Sequence, residues 1–384
     1  MSAAPVGGSC DPRFGPLREA FAENFSARGE PGAAIVLMIE GRVVCDLWGG
    51  HRDAARTKVW ERDTLVNFFS VGKAFTALVA LRLAERGLLD LDAPAHHLWP
   101  EFGVNGKETV TLRHMLSHRA GLPAIREELP DGAMLDWERM TAALAAQTPW
   151  WTPGAAHGYH VNTFGYLVGE LVRRASGRTL GEILRSEIAG PLGADVHIGL
   201  PQTEHGRCAE FLWPALLPEK PEGPLDDTTL MKWNTYWNPP GISGAGWVNT
   251  AEWRSAEIPS TNGHGTARGI ARVYSALAAG GEIDNVEILS RPMLAAAVEE
   301  QSFGPDRILE RTSRFALGFQ LPQDGRPLGP NPQAFGHFGA GGSLGFGDPV
   351  AGVAFGYVTN DMGPRWQNPR NKALLAAIYE SLAA

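Results

Sequence analysis

"NFFSVGKAFTAL", residues 67–78, is the stretch whose reading decides the fold. Ser70 precedes Lys73 by three residues, the S-x-x-K spacing. Residues three apart on a helix share a face, so the lysine amine reaches the serine hydroxyl. A rival serine lies far downstream in "GGSLG", residues 341–345. Its G-x-S-x-G form is the one that seats a nucleophilic serine on a strand-to-helix elbow. The two serines imply different folds and different chemistry, and at most one is the nucleophile.

Ser343 fails two requirements of the elbow reading. An α/β-hydrolase orders its triad as Ser, then Asp or Glu, then His. No histidine follows Ser343; the last in the chain is His337. An elbow serine also opens a helix, whereas here Gly345-Phe-Gly-Asp-Pro is followed by the strand-like "VAFGYV". "GGSLG" therefore reads as a tight turn.

Ser70 has better surroundings. With 16 serines and 6 lysines, S-x-x-K arises by chance roughly once in four such chains, and Ser70-Lys73 is its one occurrence here. The pair opens an apolar helix predicted over 71–86 and stopped at Gly87. A helix N-terminus favours negative charge developing nearby. A lysine among Phe68, Phe69, Phe75 and Leu78 loses water, which lowers its pKa and frees a base. Such chemistry needs a second proton-handling group and oxyanion donors. "WTPGAAHGYHVNTFGYLVGEL" offers Tyr159, with Asn162 three residues on. "AFGHFGAGGSLGF" offers His337-Phe338-Gly339-Ala340, a strand end running into a glycine-rich turn.

Composition narrows the alternatives. The 384 residues are 44% hydrophobic, enough for two lobes or one large domain. A net charge of -8 and a pI near 5.8 give no general attraction to nucleic acid or anionic membranes. No stretch has the roughly 18 uninterrupted apolar residues of a membrane-spanning helix. The N-terminus lacks the basic and apolar regions of a secretory signal, so a cytoplasmic location is expected. Cys10, Cys45 and Cys208 are odd in number with no C-x-x-C, and are expected as reduced thiols.

Helical periodicity covers 17–29, and 32–50 reads as a hairpin turning at Glu40-Gly41. Thr111 is an expected N-cap of a helix ending near Gly121. A third helix stops at Gly177, another spans 265–281, and a last one 369–383. Strand-like runs fall at 315–320, 333–338 and 351–359. Residues 200–260, with Trp213, Trp233, Trp237, Trp247 and Trp253, read as long irregular loops walling a site. The order lacks regular β-α alternation. It suits an α+β fold: an antiparallel sheet domain from residues 1–66 and 265–384, with a mainly helical domain, 67–264, inserted.

Ser70-x-x-Lys73, the P-G-x-x-x-x-Y of Pro153–Tyr159 and His337-x-Gly339 together resemble the serine β-lactamase and penicillin-binding-protein superfamily. "LRHMLSHRAGLP" and "TNGHGTARGIARVYSALA" extend the likeness over about residues 30–365, in particular to the family VIII carboxylesterases. The resemblance implies Ser70 as nucleophile and Lys73 with Tyr159 as its base system, Tyr159 acting as tyrosinate or proton relay. It implies an oxyanion hole of the Ser70 and Ala340 N–H groups. His337, Gly339 and Asn162 fall at substrate-binding positions, and Trp151, just upstream of Tyr159, is expected either to line the acyl or alcohol pocket or to pack in the core. Two departures stand out. The family's Y-x-N is one residue longer here (Tyr159-His160-Val161-Asn162). His337 and Phe338 replace the Lys and Thr of K-T-G, removing a cation and hydroxyl suited to a β-lactam carboxylate.

The expectation is thus a serine carboxylesterase for short acyl esters, with no cofactor. Its partner is a small-molecule ester rather than nucleic acid or membrane, and nothing in the sequence specifies an oligomeric state. The alternatives are a β-lactamase or D-Ala-D-Ala peptidase, an acyltransferase using the same acyl-enzyme, and an inactive ligand-binding scaffold. His114/His118 and His157/His160 have spacings that metals use, but no further ligand motif accompanies them. They are expected in caps and loop hydrogen bonds, with no metal.

Overall fold

The computed structural model of the protein describes residues 6–214, 217–363 and 366–384. A six-stranded antiparallel sheet joins the two ends of the chain. β1 (Val6–Cys10), β2 (Gly32–Ile39) and β3 (Arg42–Gly50) precede the helical segment; β4 (Phe335–Phe338), β5 (Leu344–Asp348) and β6 (Val353–Thr359) follow it. The order across the sheet is β1-β3-β2-β6-β5-β4. The two halves meet where β2 pairs with β6, from Ala33 opposite Thr359 to Ile39 opposite Val353.

The unbroken apolar run of β2 follows from burial on both faces. Alternate side chains of a strand point to opposite sides. Ala34, Val36 and Met38 enter one core; Ala33, Ile35 and Leu37 enter the other. The second core is closed by α1 (Gly15–Ala27) and α6 (Pro369–Ala383), the first by α5 (Ala267–Ala278). The first core runs on without a break into α2 (Gly72–Glu85) and α3 (Thr163–Ser176). Each fully buried Leu, Ile or Phe there contributes about 1.5–3 kcal/mol. The chain leaves and re-enters the sheet segment at neighbouring positions, since Val66 pairs with Gly265 and Asn67 with His264.

Several elements differ from expectation. The helix capped by Thr111 runs only over Leu112–Leu116. His118 turns the chain at a φ of 61° and sends its ring into the site described below. Residues 200–260 hold two helices, α4 (Asp227–Trp237) and Ala251–Ser255. Asp226 and Thr250 start them by accepting backbone N–H groups. The run at 315–320 is mostly turn: the strand is Thr312–Phe315, paired with Ser302–Pro305. Cys10 and Cys45, distant in sequence, face each other across β1 and β3 as free thiols. Among the described residues no helix is long and apolar enough to cross a membrane.

"GGSLG" is the expected tight turn. Gly341 and Gly342 take φ of 83° and 115°, conformations glycine adopts freely. Gly345 lies in β5, where a Cβ would sit 2.3 Å from the Tyr274 ring of α5. The spacing thus serves a turn and a close helix–sheet contact. Strand β5, not a helix, follows the serine.

Candidate active site

Ser70 sits in a 3-10 turn, Phe69–Val71, that runs directly into α2. Phe69 holds a φ of 50°, uncommon for a bulky residue, and its ring is fixed against Phe211 and Trp213. Such a conformation costs on the order of 1–3 kcal/mol and persists only where packing enforces it.

Lys73 is fully buried, one turn on, in a helix whose other inward residues are apolar apart from Thr76. Its Nζ lies 3.1 Å from Ser70 Oγ, 2.6 Å from the Val161 carbonyl and 3.2 Å from the Ser260 carbonyl. Among the described residues no carboxylate pairs with it. The π faces of Tyr159 and Phe164 lie 4.8 and 6.0 Å from Nζ. Burial pushes the Lys73 ammonium well below the usual lysine range. A neutral amine has two N–H donors and one lone pair. In that neutral form the two carbonyls can take both donors and leave the lone pair facing the Ser70 hydroxyl.

Tyr159 is also fully buried. Its ring stacks on Phe315 at 5.6 Å and meets His118 and Trp366 edge-on at 4.8 and 4.9 Å. Its backbone N–H donates to Asp306 Oδ1 at 3.1 Å. That carboxylate also accepts the Ile308 and Leu309 N–H groups and the Ser313 hydroxyl, so it organises the loop beside Tyr159. The Tyr159 hydroxyl has no hydrogen-bond partner among the described residues. Burial drives its pKa well above 10; the Ser70 hydroxyl opposes this, while Tyr236 and Asp306 add to it.

The Ser70 N–H and the Ala340 N–H each fall in the first turn of a 3-10 segment, where backbone N–H groups lack intrahelical acceptors. Ser70 and Ala340 both line the pocket described next, and their segments meet at Gly339, where a Cβ would lie 2.2 Å from the Phe68 carbonyl oxygen. Only glycine lets the end of β4 approach the Ser70 turn so closely.

The pocket over Ser70 has a volume of about 270 Å³. Its walls include Phe69, Trp213, Tyr236, Trp237, Met362 and Trp366. Asn162 also lines it, despite the extra residue after Tyr159. Its amide is spent locally: Nδ2 donates to the Thr235 carbonyl and Ser243 Oγ, and Oδ1 accepts from the Thr261 hydroxyl.

Three other candidate substrate-binding residues stand one layer back. His337 and Gly339 are not on the wall. The His337 ring is fully buried 6.0 Å from that of Tyr159. Its Nδ1–H donates to the Phe338 carbonyl, and Nε2 has no partner among the described residues. Burial, and secondarily the charge of Lys73, push its pKa down to about 3, so it carries no charge at neutral pH. Trp151 packs edge-on against His160 and donates Nε1–H to the Ala156 carbonyl, serving the core around Tyr159 instead of the pocket.

The histidines of the two spaced pairs, His114/His118 and His157/His160, are engaged in cap and loop hydrogen bonds, His157 Nε2 lying 2.8 Å from Ser313 Oγ. His114 Nδ1 accepts from the Thr111 N–H, completing that helix cap. His118 Nδ1 accepts from the His160 N–H, and His160 Nε2 from the Leu122 N–H. Sequence reading missed Ser260 and Asp306. Ser260 lends a carbonyl to Lys73 and takes the Gly165 N–H on its hydroxyl. Neither residue sits in a motif; each lies far along the chain from the group it positions.

A helix-borne serine with a buried amine, at the junction of an end-to-end antiparallel sheet and a helical lobe, defines a hydrolase of β-lactamase-like architecture. The beta-lactamase family model matches residues 17–380, and the chain belongs to that family. Within it, the chain is 37% identical over 367 residues to the esterase/beta-lactamase LipL of Mycobacterium tuberculosis, covering 92% of this chain and 83% of that protein. It is also 40% identical to a family VIII carboxylesterase of known structure, with a TM-score of 0.90 over 98% of this chain and 100% of that one. A penicillin-binding-protein homologue from Caulobacter crescentus matches with the same TM-score, identity and coverage.

Proposed function

We propose that the protein is a serine carboxylesterase that hydrolyses short-chain acyl esters through an acyl-enzyme on Ser70. The observation that carries this is the seat of Lys73 Nζ, with two carbonyls on its donors and Ser70 Oγ at 3.1 Å. Ser70 gives its proton to the Lys73 lone pair as Oγ attacks the ester carbonyl. The Ser70 and Ala340 N–H groups receive the oxyanion. Tyr159 protonates the departing alkoxide and recovers a proton from the Lys73 ammonium. Water then enters by the reverse relay and frees the acid. Burial disfavours a resting tyrosinate, so of the two roles open to Tyr159 the relay is the one proposed.

The uncharged His337 supports esters over β-lactams, because the cation of K-T-G is missing. Turnover of p-nitrophenyl butyrate is expected to exceed that of nitrocefin. The reverse order would move the assignment to a lactamase.

The pocket volume sets the acyl preference. At about 270 Å³ it lies below the range typical of drug-sized ligands. Activity on p-nitrophenyl esters is expected to peak between acetyl and hexanoyl. A maximum beyond about ten carbons would contradict a confined acyl site.

Gly339→Ala tests the oxyanion donors. The new Cβ meets the Phe68 carbonyl oxygen, so the Ala340 N–H shifts away from Ser70. Losing such a donor costs about 10²–10³ in kcat, and a loss on the order of 10² is expected with KM little changed. A fully active Gly339→Ala protein would remove Ala340 from the mechanism.

A further inference from the structure

A cleft lined by cations lies next to the catalytic pocket. It has a volume of about 650 Å³ and is lined by Arg311, Arg314, Arg326 and Lys372, and by no carboxylate among the described residues. The whole chain, by contrast, carries a net charge of -8. Tyr236 and Trp366 line this cleft and the pocket over Ser70 alike. Trp366 in turn meets Tyr159 edge-on at 4.9 Å. Trp366 and Tyr236 thus form the wall common to the pocket over Ser70 and the cationic cleft.

The cations are arranged to receive an anion. Arg314 is ion-paired with Glu300 Oε2 at 2.6 Å, which offsets its charge, and is held by the Pro322 carbonyl at 2.9 Å, so Arg311 and Lys372 are the cations left to receive an anion. Arg311 lies 5.5 Å from the Trp366 ring centroid, where the aromatic face orients its guanidinium. Among the described residues neither Arg311 nor Lys372 has a carboxylate within ion-pair distance. Glu300 and Asp324 line a neighbouring cleft that shares Arg311, Arg314, Gln323 and Arg326 with this one, so the acidic groups border the cations without entering the cleft beside Trp366. The cleft is also distinct from the seat of His337, which is sealed in the core.

We infer that this cleft binds a carboxylate carried by the substrate, so that the preferred esters are anionic. This rests on the esterase reading and narrows its substrate class. Guanidinium groups take carboxylates through paired N–H donors, and cations without an ion pair concentrate the anion near the nucleophile.

The test compares three substrates: phenyl acetate, 2-acetoxybenzoate with its carboxylate on the alcohol side, and the mono-p-nitrophenyl ester of glutaric acid with its carboxylate on the acyl side. The readout is the ratio of kcat/KM for each anionic ester to that of its neutral counterpart, p-nitrophenyl butyrate serving for the third. At least one ratio is expected to exceed one, and which one does assigns the cleft to the alcohol or the acyl side. The Arg311→Gln/Lys372→Gln protein should lower that ratio about five- to tenfold, mainly through KM, given the modest worth of each part-exposed pair. Raising sodium chloride to about 0.5 M should shrink the ratio in the parent protein. A ratio of one or less for both anionic esters, or a ratio untouched by the double substitution, overturns the inference and leaves the esterase reading standing. Absence of phenyl acetate and p-nitrophenyl butyrate turnover overturns the esterase reading instead. In that case calorimetric titration of 2-acetoxybenzoate into Ser70→Ala protein still reads the cleft: binding weakened by the double substitution supports it, and binding that is absent or unaffected does not.

Discussion

Ser70→Ala is expected to bring ester turnover to background and to abolish labelling by a fluorophosphonate probe, while Ser343→Ala keeps most of both. Ser70 Oγ is the hydroxyl within reach of the Lys73 amine, at 3.1 Å. Removing a nucleophile of this kind costs about 10⁶ in kcat in a comparable serine hydrolase. Ser343 has different surroundings. It is fully buried, and its Oγ accepts only a long contact, 3.4 Å, from the Thr359 N–H. Its carbonyl, which alanine retains, takes the Gly339 N–H at 2.7 Å and so braces the turn that carries Ala340. Loss of the hydroxyl is expected to relax that turn slightly, with a few-fold fall in kcat, well short of the 10²–10³ for a donor lost outright. Circular dichroism on both proteins guards against misfolding. An inactive Ser343→Ala beside an active Ser70→Ala would overturn the acyl-enzyme on Ser70.

The parts of this site that were legible in the sequence are those encoded within one helix or one turn. Ser70 and Lys73 are one helical turn apart, and the spacing itself puts them face to face. The failure of "GGSLG" as an elbow was equally local, because the strand-like pattern after Ser343 is continuous in sequence. The final helix, Pro369–Ala383, matched its expected range because Asn368 and Pro369 mark its start. Long-range relations were not legible. The Ser260 carbonyl meets Lys73 across 187 positions, and Asp306 steadies Tyr159 across 147. Polar groups of these types occur throughout the chain, and nothing local distinguishes the two that matter. Trp151 was open to two readings, pocket wall or core, for a related reason. Proximity in sequence to Tyr159 pointed to the pocket, but the ring turns inward toward His160. Residues 200–260 were misread because their glycines and prolines masked α4. Its Asp226 cap, accepting from the Thr228 and Thr229 N–H groups, was the available signal.

Lys73→Ala and Tyr159→Phe are each expected to lower kcat by about 10²–10⁴, the usual worth of positioned acid–base catalysis. The informative result is the double substitution, which should be barely worse than either single one. In the proposed relay the proton leaves Ser70 for Lys73 and reaches the alcohol through Tyr159, so breaking either link stops the same path. Groups that act as a unit give non-additive losses. Fully multiplicative losses would mean two independent roles and would remove the relay. The pH profile supplies a second, separate reading. In the proposed mechanism Lys73 works as a neutral base, and burial holds its pKa well below 10.5. Activity should therefore rise with pH through that depressed pKa and be lost below it, as the amine takes up a proton and its lone pair is no longer open to Ser70. Tyr159 must keep its proton, and burial raises its pKa well above 10, so no alkaline loss from tyrosinate is expected in the neutral range. In Tyr159→Phe protein the residual activity should keep the acid limb, because Lys73 is intact. In Lys73→Ala protein that limb should disappear. An acid limb that survives Lys73→Ala would assign the titration to another group and sink Lys73 as the base.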